Sequence, residues 1–429
     1  MPGKRLLLFW TLAASVYAQT LTPVEQKIVA TVNSDQPIEE KLLEQLVDIN
    51  SGTLNPQGVR RVADVLRPQF ESLGFTCRFI PMEEVHRAGH LVCERKGTHG
   101  KRVLLIGHMD TVFEADSPFQ KFERISDTRA KGLGAADMKG GLVIMLGALK
   151  ALNENHDLDG ATITVFLTGD EERPGEPLSI ARRDLIDAGK QSDAALEFEG
   201  GVQAQGHDAA SISRRSAYTW ELKTTGKTAH SSGVFGQNVG DGAIYEMARI
   251  LDRFDKELRE PGLTYNVGVI AGGTSTSYDP ATATATATGK TNVVAAQAQA
   301  VGDLRTVTDE QYHRVQDAMR RIIAEHLPGT SGEITFKDGY PSMPETDAGR
   351  ELLHQLNEVN RALGMDNMEP FDPAHRGAGD LSFVAPYTAG ISGLGAYGGG
   401  AHAPGETINL ARQAEQTRRV AIYLYRLTR

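Results

Sequence analysis

The sequence predicts an α/β protein with a mainly parallel core sheet, flanking helices and a compact α+β sandwich inserted into it. Short apolar runs, typical of strands buried on both faces, alternate with helical patterns in the first half of the chain. From about Ser213 the runs change to the alternation of half-exposed strands, and the first pattern resumes after residue 338. With 429 residues, 40% of them hydrophobic, the chain can form more than one core. We therefore expect one domain from residues 19–212 and 339–429, and a second from residues 213–338.

Two helices are predicted before the first strands. One spans residues 37–50, and the other places apolar residues three or four positions apart across 59–73 and stops at Gly74. A pair of short strands follows, "GFTCRFI" and "HLVCERK", which contain Cys77 and Cys93. The pattern is compatible with a disulfide across the two strands and equally with two free buried thiols.

The core sheet is predicted from three apolar runs. They occur in "RVLLIGHMDTV", "ATITVFLTGDEE" and "DAALEFEG". A strong helix across residues 142–152 separates the first two runs, and the short helical segment "RRDLIDAG" separates the last two. Strands and helices that alternate in this way are typical of a parallel sheet covered by helices. Two more helices are expected near the end of the chain, one across residues 347–363 and one after "HAPGETINL".

The inserted segment, residues 213–338, is predicted to fold as strand, helix, strand, strand, helix, strand. Its strands lie in "AYTWELKTTGKTAHSS", "TYNVGVIAGG", "NVVAAQAQAVGDLR" and "GEITFKDGYP", and its helices span residues 241–260 and 309–326. Between the second and third strands runs "TSTSYDPATATATATGKT", in which Ala and Thr alternate. We interpret this run as an extended hairpin with one threonine face, with a flexible loop as the alternative, and assign it no chemistry.

The first residues are typical of a secretory signal peptide. Two basic residues precede an apolar stretch at 6–14, and Val16 and Ala18 lie at the spacing that a signal peptidase accepts. A short membrane anchor is the alternative, but the stretch is too short to cross a bilayer and no second one follows. We therefore expect residues 1–18 to be removed after Ala18, leaving a periplasmic or secreted protein without membrane contact.

The charge of the chain argues against nucleic-acid binding. The formal net charge is −10, and no run rich in Lys and Arg accompanies the aromatic residues. An electrostatic grip on a polyanion needs such a basic surface. A small molecule is therefore the expected ligand.

Side chains that can bind metal ions follow each predicted core strand. Because ligands bind outside the carboxyl ends of strands in open α/β sheets, these side chains are expected to gather at one edge. The strand ends carry His108 and Asp110, then Asp170, Glu171 and Glu172, then Glu197 and Glu199, while Asp137 lies in a glycine-rich turn and His402 in a late glycine-rich loop. One such group alone is common on protein surfaces, but several in these settings are not easily accidental.

The types of side chain indicate the chemistry. Histidine and carboxylate ligands without cysteine suit zinc, manganese or cobalt, and zinc is favoured. More than three carboxylates exceed what one ion needs, which favours two ions joined by a bridging carboxylate. One glutamate of the acidic triplet would then bind a metal ion, and its neighbour would take a proton from activated water.

Five segments resemble the metal-site segments of the co-catalytic zinc metallopeptidases: "IGHMDTV", "GLGAADMKGG", "TGDEE", "EFEG" and "GAH". That family includes glutamate carboxypeptidase, to which the pattern is most similar, the aminoacylases, acetylornithine deacetylase and succinyl-diaminopimelate desuccinylase. The segments occur in the family's order along nearly all of the chain after residue 18. The resemblance implies a zinc-exopeptidase-like fold in which the inserted segment is a lid that mediates a homodimer.

The resemblance also implies a ligand set for two Zn²⁺ ions per subunit, for which Co²⁺ or Mn²⁺ could substitute. Asp137 would bridge the two ions. His108 and Glu199 would complete one site, and Glu172 and His402 the other.

Two further roles at the metal site follow from the same resemblance. Asp110 would orient the ring of the ligating histidine, as such imidazoles require. Glu171 would be the general base, taking a proton from the bridging water and passing it to the leaving amine. Glu197 is an alternative to Glu199 as a ligand, because two residues apart on one strand face the same way, although "FE" before a glycine matches the family at Glu199.

Three residues of the inserted segment match the family as well. "GKTAH" places His230 where relatives reach into the partner subunit and stabilise the oxyanion. Asn292 and Arg305 match residues that hold the substrate's carbonyl and free carboxylate, and arginine suits a carboxylate because it binds both oxygens. Relatives carry Ile-Pro after that asparagine where this chain has Val293 and Val294, so the substrate pocket is expected to differ there.

We therefore expect an exported dizinc metallohydrolase, of the carboxypeptidase type, that cleaves an amide bond and releases a C-terminal or N-acylated amino acid. An aminoacylase, an N-acyl-amino-acid deacetylase or a dipeptidase is the alternative, since these enzymes share the catalytic residues. A non-catalytic relative that binds amino acids or metal is an alternative of a different class. Loss of the base or of a ligand would favour it, and every one of those positions is present.

Overall fold

The computed structural model describes residues 20–118, 120–280 and 282–429, so the predicted signal peptide lies outside the described residues. The helices are α1 (Pro23–Val47), α2 (Pro56–Ser72), α3 (Gly140–Glu154), α4 (Leu178–Ala181), α5 (Arg183–Lys190), α6 (Ala243–Glu257), α7 (Asp309–Ala324), α8 (Asp347–Ala362), α9 (Leu381–Val384) and α10 (Leu410–Leu427). In these described residues, no helix is both long and apolar enough to cross a membrane.

The strands form a large mixed sheet, a second sheet in the inserted segment and several small ones. They are β1 (Thr76–Met82), β2 (Arg87–Arg95), β3 (His99–His108), β4 (Glu123–Ser126), β5 (Arg129–Lys131), β6 (Ala161–Thr168), β7 (Ala194–Glu197), β8 (Val202–Ala204), β9 (His207–Ala210), β10 (Ala217–Gly226), β11 (Thr264–Tyr265), β12 (Val269–Gly273), β13 (Ser275–Asp279), β14 (Thr284–Thr288), β15 (Gln297–Arg305), β16 (Thr330–Tyr340), β17 (Glu369–Pro370), β18 (Gly390–Ser392), β19 (Gly398–Gly399) and β20 (Thr407–Asn409).

The large sheet has the strand order β1–β2–β6–β3–β7–β18. β6, β3, β7 and β18 are parallel, whereas β1 and β2 form an antiparallel edge. Leu104, Leu105 and Ile106 of β3 are fully buried, because helices cover both faces of the parallel part. The predicted α/β class with a mainly parallel core is confirmed.

The first helix begins earlier than the sequence pattern predicts. α1 starts at Pro23, where Thr22 and Glu25 cap each other's backbone N–H groups, and it continues through Pro37. The prediction of a helix start at residue 37 was therefore wrong. Pro37 is exposed, and the buried residues of α1 lie on its other side, so the helix continues past it without losing its packing.

The predicted hairpin carries a disulfide. Cys77 of β1 and Cys93 of β2 are direct partners in the antiparallel pair, and their sulfur atoms are bonded. Neighbouring strands bring such directly opposed cysteines within bonding reach. Of the two alternatives left by the sequence, the structure has the disulfide.

The inserted segment has its own sheet and its own core. β10 pairs with β15 on one side and with β16 on the other, and α6 and α7 pack on the sheet. Trp220, Phe254 and Met319 are buried in the core between sheet and helices. The Ala/Thr run is an extended hairpin of β13 and β14, as predicted, with hydroxyl pairs such as Ser275–Thr288 at 2.6 Å across it.

Candidate active site

The carboxyl end of β3 carries a buried histidine. The Nδ1 atom of His108 lies 3.0 Å from the backbone carbonyl of Asp110 and donates to it, since a carbonyl only accepts. The Nε2 lone pair therefore faces two carboxylate oxygens, Oδ1 of Asp137 at 3.3 Å and Oε1 of Glu199 at 3.2 Å. Burial lowers the pKa of His108, but the surrounding carboxylates outweigh this effect and raise it well above the ordinary value.

Asp137 lies between two histidines in the glycine-rich turn before α3. Its Oδ1 faces His108, and its Oδ2 is 3.2 Å from Nε2 of His402. Gly134 allows this turn: its φ is +64°, and a Cβ there would lie 2.4 Å from the side chain of Thr111. Hydrogen bonds to both histidines contribute to holding the pKa of Asp137 far below its usual range, against the effect of burial.

The carboxylate of Glu406 stabilises this turn through hydrogen bonds to its backbone. Oε1 of Glu406 accepts the backbone N–H groups of Ala136 at 2.7 Å and of Asp137 at 3.0 Å. Burial raises the pKa of Glu406 to about 7. Glu406 was not among the predicted site residues, and its local signal is its place in "HAPGE", four positions after His402.

Glu199, and not Glu197, lies beside His108. β7 ends at Glu197, so the two side chains no longer share the orientation that a continuing strand would impose. Glu197 is buried and pairs with Arg214 at 2.7 Å, while it also accepts the backbone N–H of Leu381 at 2.8 Å. Its carboxylate is thus engaged away from the cluster.

Glu172 and His402 form a second cluster together with Asp137. Oε2 of Glu172 lies 3.2 Å from Nε2 of His402, and its Oε1 is buried without a hydrogen-bond partner among the described residues. Burial raises the pKa of Glu172 to about 7. Hydrogen bonds to Asp137 and Glu172 raise the pKa of His402 to about 10.

These residues fit a pair of cations. One group, His108, Asp137 and Glu199, and another, Asp137, Glu172 and His402, each hold ligand atoms within 4.8 Å of one another, and they share Asp137. Histidine lone pairs aimed at carboxylate oxygens repel unless a proton or a metal ion lies between them. Nitrogen and oxygen donors in this arrangement suit zinc.

Glu171 adjoins both clusters. One of its carboxylate oxygens lies within 4.8 Å of ligand atoms of His108 and Glu172. Its side chain is half-buried, and removal from water raises its pKa well above the ordinary value. The Glu199 and Glu172 carboxylates raise it further, while His108 opposes them. A raised pKa makes this carboxylate a stronger base, which suits it to accept a proton.

Asp170, the first acid of the triplet, forms a buried ion pair and belongs to neither ligand cluster. Asp170 is buried and accepts from Arg182 at 2.7 Å, and Arg182 also binds Asp380 at 2.7 Å. No sequence pattern marks Arg182 as a partner of the triplet, because the contact is made only in the folded sheet. Arg182 also donates to the hydroxyl of Tyr340, which donates in turn to the carbonyl oxygen of Glu171 at 2.7 Å.

The three residues that the sequence singled out in the inserted segment do not all lie together. The backbone N–H of Ser231 donates to the carbonyl of Asn292, so His230 and Asn292 lie together near the far end of the second sheet. Arg305 lies at the opposite end, where its Nε donates to Asp303 at 2.8 Å. The contacts of His230 are with its own segment: its Nδ1 lies 2.9 Å from the hydroxyl of Ser232, and its backbone bridges to Val293. Among the described residues, His230 has no hydrogen bond or ion pair with a metal-site residue.

Two ligand clusters that share one aspartate, beside a glutamate with a raised pKa, are the arrangement of a metallopeptidase or amidohydrolase. That class accounts for both the fold and the site. The chain belongs to peptidase family M20/M25/M40, whose pattern matches residues 104–427.

Individual proteins are also similar to this chain in sequence or in fold. Carboxypeptidase G2 of Pseudomonas sp. (strain RS-16) is 27% identical over 343 residues, which cover 77% of this chain and 76% of that protein. Succinyl-diaminopimelate desuccinylase of Coxiella burnetii is 26% identical over 383 residues, 86% of this chain and 94% of the other. The YXEP protein of Bacillus subtilis, a dinuclear metal-binding peptidase of the M20 family, has the same fold with a TM-score of 0.64 at 16% identity, over 92% of this chain and 99% of that one.

Proposed function

We propose that this protein is an exported amidohydrolase that binds two zinc ions and releases a C-terminal or N-acylated amino acid from its substrate. The observation that carries the proposal is the sharing of Asp137 by two ligand clusters at the strand ends. One ion would be held by His108, Asp137 and Glu199, and the other by Asp137, Glu172 and His402. Cobalt or manganese could replace zinc, because both accept the same donors.

When bound, two such ions polarise an amide carbonyl and lower the pKa of water between them. Glu171 would accept a proton from the attacking water at its carboxylate and deliver it to the nitrogen of the departing amine. Asp110 would hold the backbone of this base in place, and its carbonyl fixes the tautomer of His108. Burial and neighbouring carboxylates raise the pKa of Glu171, which suits both steps of the proton transfer.

A second copy of the chain would complete each site. His230 contacts no metal-site residue of its own chain among the described residues, so we propose a homodimer in which it reaches the partner's site through the inserted segment. There its imidazole would donate to the developing oxyanion, with Asn292 beside it. Arg305, at the near end of the same sheet, would hold the free carboxylate of the substrate.

Export is proposed from the leader-like first residues and is supported by the disulfide of Cys77 and Cys93. Structural disulfides persist in oxidising compartments and are rare in the cytosol. A periplasmic or secreted location is therefore part of the proposal.

Amino-acid release by the purified protein, with zinc supplied, tests this function. The panel varies the C-terminal residue and the N-acyl group independently. A rate that follows the C-terminal residue supports the carboxypeptidase, whereas a rate that follows the acyl group supports a deacylase, the alternative that likeness to desuccinylases favours. No release from any member, with both ions bound, contradicts the proposal.

A further inference from the structure

A cavity of about 180 Å³ opens beside the paired clusters. It is lined by Asp137 and Glu199 on one side, by the backbone of residues 398–401 on another, and by Arg376. The volume is large enough for a small polar group but not for a whole substrate. Any group that enters it comes to lie next to the metal-site carboxylates.

The guanidinium of Arg376 lines this cavity, and few hydrogen-bond acceptors surround it. Its side chain is 16% exposed, and one terminal nitrogen donates to the carbonyl of Gly200 at 3.1 Å. The nearest carboxylate oxygen, Oε2 of Glu199, is 3.8 Å away, beyond hydrogen-bond distance. Its Nε is buried and has no partner among the described residues. A guanidinium has five N–H donors, and leaving them unmatched in a buried place is costly.

Two other buried arginines, in contrast, donate hydrogen bonds directly to carboxylates. Arg182 binds the carboxylates of Asp170 and Asp380, both at 2.7 Å. Arg214 binds Glu197 at 2.7 Å. Among the described residues, Arg376 has only the longer ion pair with Glu199 at 3.8 Å and no hydrogen bond to a carboxylate. Burial together with the nearby Arg214 lowers its pKa. The cavity thus holds a cation whose hydrogen-bond donors no carboxylate of the described residues satisfies.

We propose that Arg376 binds a carboxylate of the substrate's amino-acid portion in this cavity, so that the enzyme acts on substrates with a carboxylate at that position. The inference rests on the proposed function and adds a second arginine to Arg305. The carboxylate could be the α-carboxylate or that of an acidic side chain. Planar guanidinium groups bind either one through two parallel hydrogen bonds.

Binding to an inactive protein tests the inference without turnover. The parent is the zinc-loaded Glu171→Gln variant, and the probes are N-benzoyl-L-glutamate, its side-chain amide N-benzoyl-L-glutamine, and its α-amide N-benzoyl-L-isoglutamine. Calorimetry measures each probe against the parent and against the parent with Arg376→Gln, Arg376→Lys or Arg305→Gln added. Arg183→Gln, at an exposed arginine, is the matched control. Zinc content is measured in every variant.

Arg376→Gln is expected to weaken binding on the order of 10- to 100-fold, because a charged hydrogen-bonding partner is lost, and Arg376→Lys to weaken it less. Weakened binding of glutamate and glutamine probes, with isoglutamine unchanged, assigns the α-carboxylate to Arg376. Weakened binding of glutamate and isoglutamine probes, with glutamine unchanged, assigns the side-chain carboxylate.

Other outcomes overturn the inference. Unchanged binding of all three probes, or equal weakening of all three, shows that Arg376 recognises no carboxylate. Loss of zinc in Arg376→Gln shows that the arginine supports Glu199 instead. If no probe binds to the parent, the proposed function fails, and the inference falls with it.

Discussion

The carboxylate of Asp110 accepts the backbone N–H of Glu171 at 3.0 Å, and its other oxygen accepts that of Glu172 at 3.1 Å. The same carboxylate accepts the hydroxyl of Thr53 at 2.6 Å. The end of β3 is therefore tied to the loop that carries both the proposed base and a proposed ligand. Orienting the histidine is only part of what this buried aspartate does.

Replacing Asp110 with asparagine should disturb this loop. An amide side chain has one oxygen and one NH₂ group, so one of the two backbone N–H groups would face a donor instead of an acceptor. We expect turnover or metal affinity to fall about 10- to 100-fold, as when other groups that orient metal ligands are removed. Steady-state rates and zinc titrations measure both, with Asp116→Asn as a surface control. Wild-type values for both would contradict this role.

Glu171→Gln should separate proton transfer from metal binding. The amide keeps the shape of the side chain but cannot accept the proton, so kcat should fall about 10²- to 10⁴-fold. Both metal ions should stay bound, because Glu171 belongs to neither of the two clusters that share Asp137. Atomic absorption gives the metal content, and amino-acid release gives kcat. Substantial activity in this variant would rule out Glu171 as the base.

The dimer can be tested by combining two inactive variants. His230→Ala alone should lower kcat about 10²- to 10³-fold, as removal of an oxyanion donor does, and leave the zinc content unchanged. When it is co-expressed with Glu171→Gln, half of the dimers should be mixed, and one of their two sites has both an intact base and an intact partner histidine. About a quarter of the wild-type activity should return. A mixture that forms dimers but stays inactive would show that His230 does not act in the partner's site.

The buried carboxyl group of Glu39 should make the free energy of unfolding depend on pH. It is 5% exposed on α1, and burial raises its pKa from 4.5 to about 8, against a weak hydrogen bond from Thr417. The folded state therefore keeps a proton that the unfolded chain has lost. The stabilisation is complete below pH 4.5 and declines as the pH rises to about 8, by about 1.4 kcal/mol per pH unit.

Glu39→Gln should remove this dependence of the unfolding free energy on pH. Denaturant unfolding between pH 5 and about 8 measures the free energy in the zinc-loaded protein and in the variant. Glu44→Gln, at an exposed position of the same helix, is the control. Equal slopes for wild type and Glu39→Gln would show that the buried carboxyl is not responsible.

Much of the fold could be predicted from the sequence because its signals are local. An apolar run followed by His108 or by the acidic triplet marks both a buried strand and the side chains at its end. The predicted start at residue 37 overlooks the cap at Thr22 and Glu25, which is also a local signal, since a proline more often begins a helix than lies inside one. The choice between Glu197 and Glu199 depended on where a strand ends, which sequence patterns locate poorly.

The buried charge network could not be predicted in this way. Arg182 and Asp380 are 198 residues apart in the chain, and Asp137 and Glu406 are 269 apart. Arg182, Asp380 and Glu406 each look like an ordinary surface charge in their own stretch of sequence, and only the folded chain brings them to their partners. A single sequence gives no signal for such pairs, since their spacing follows no helical or strand period.

The inserted sheet leaves and rejoins the rest of the chain at one place. Ala217, the first residue of β10, is paired with Tyr340, the last residue of β16, and Arg214 bridges to Met343 just beyond. Directly opposed residues of antiparallel strands lie only about 5 Å apart. A two-residue turn could therefore join the flanking segments if the insert were absent. Evolution or a protein engineer could exchange it, and with it the proposed means of pairing subunits, without rethreading the sheet that holds the metal-site residues.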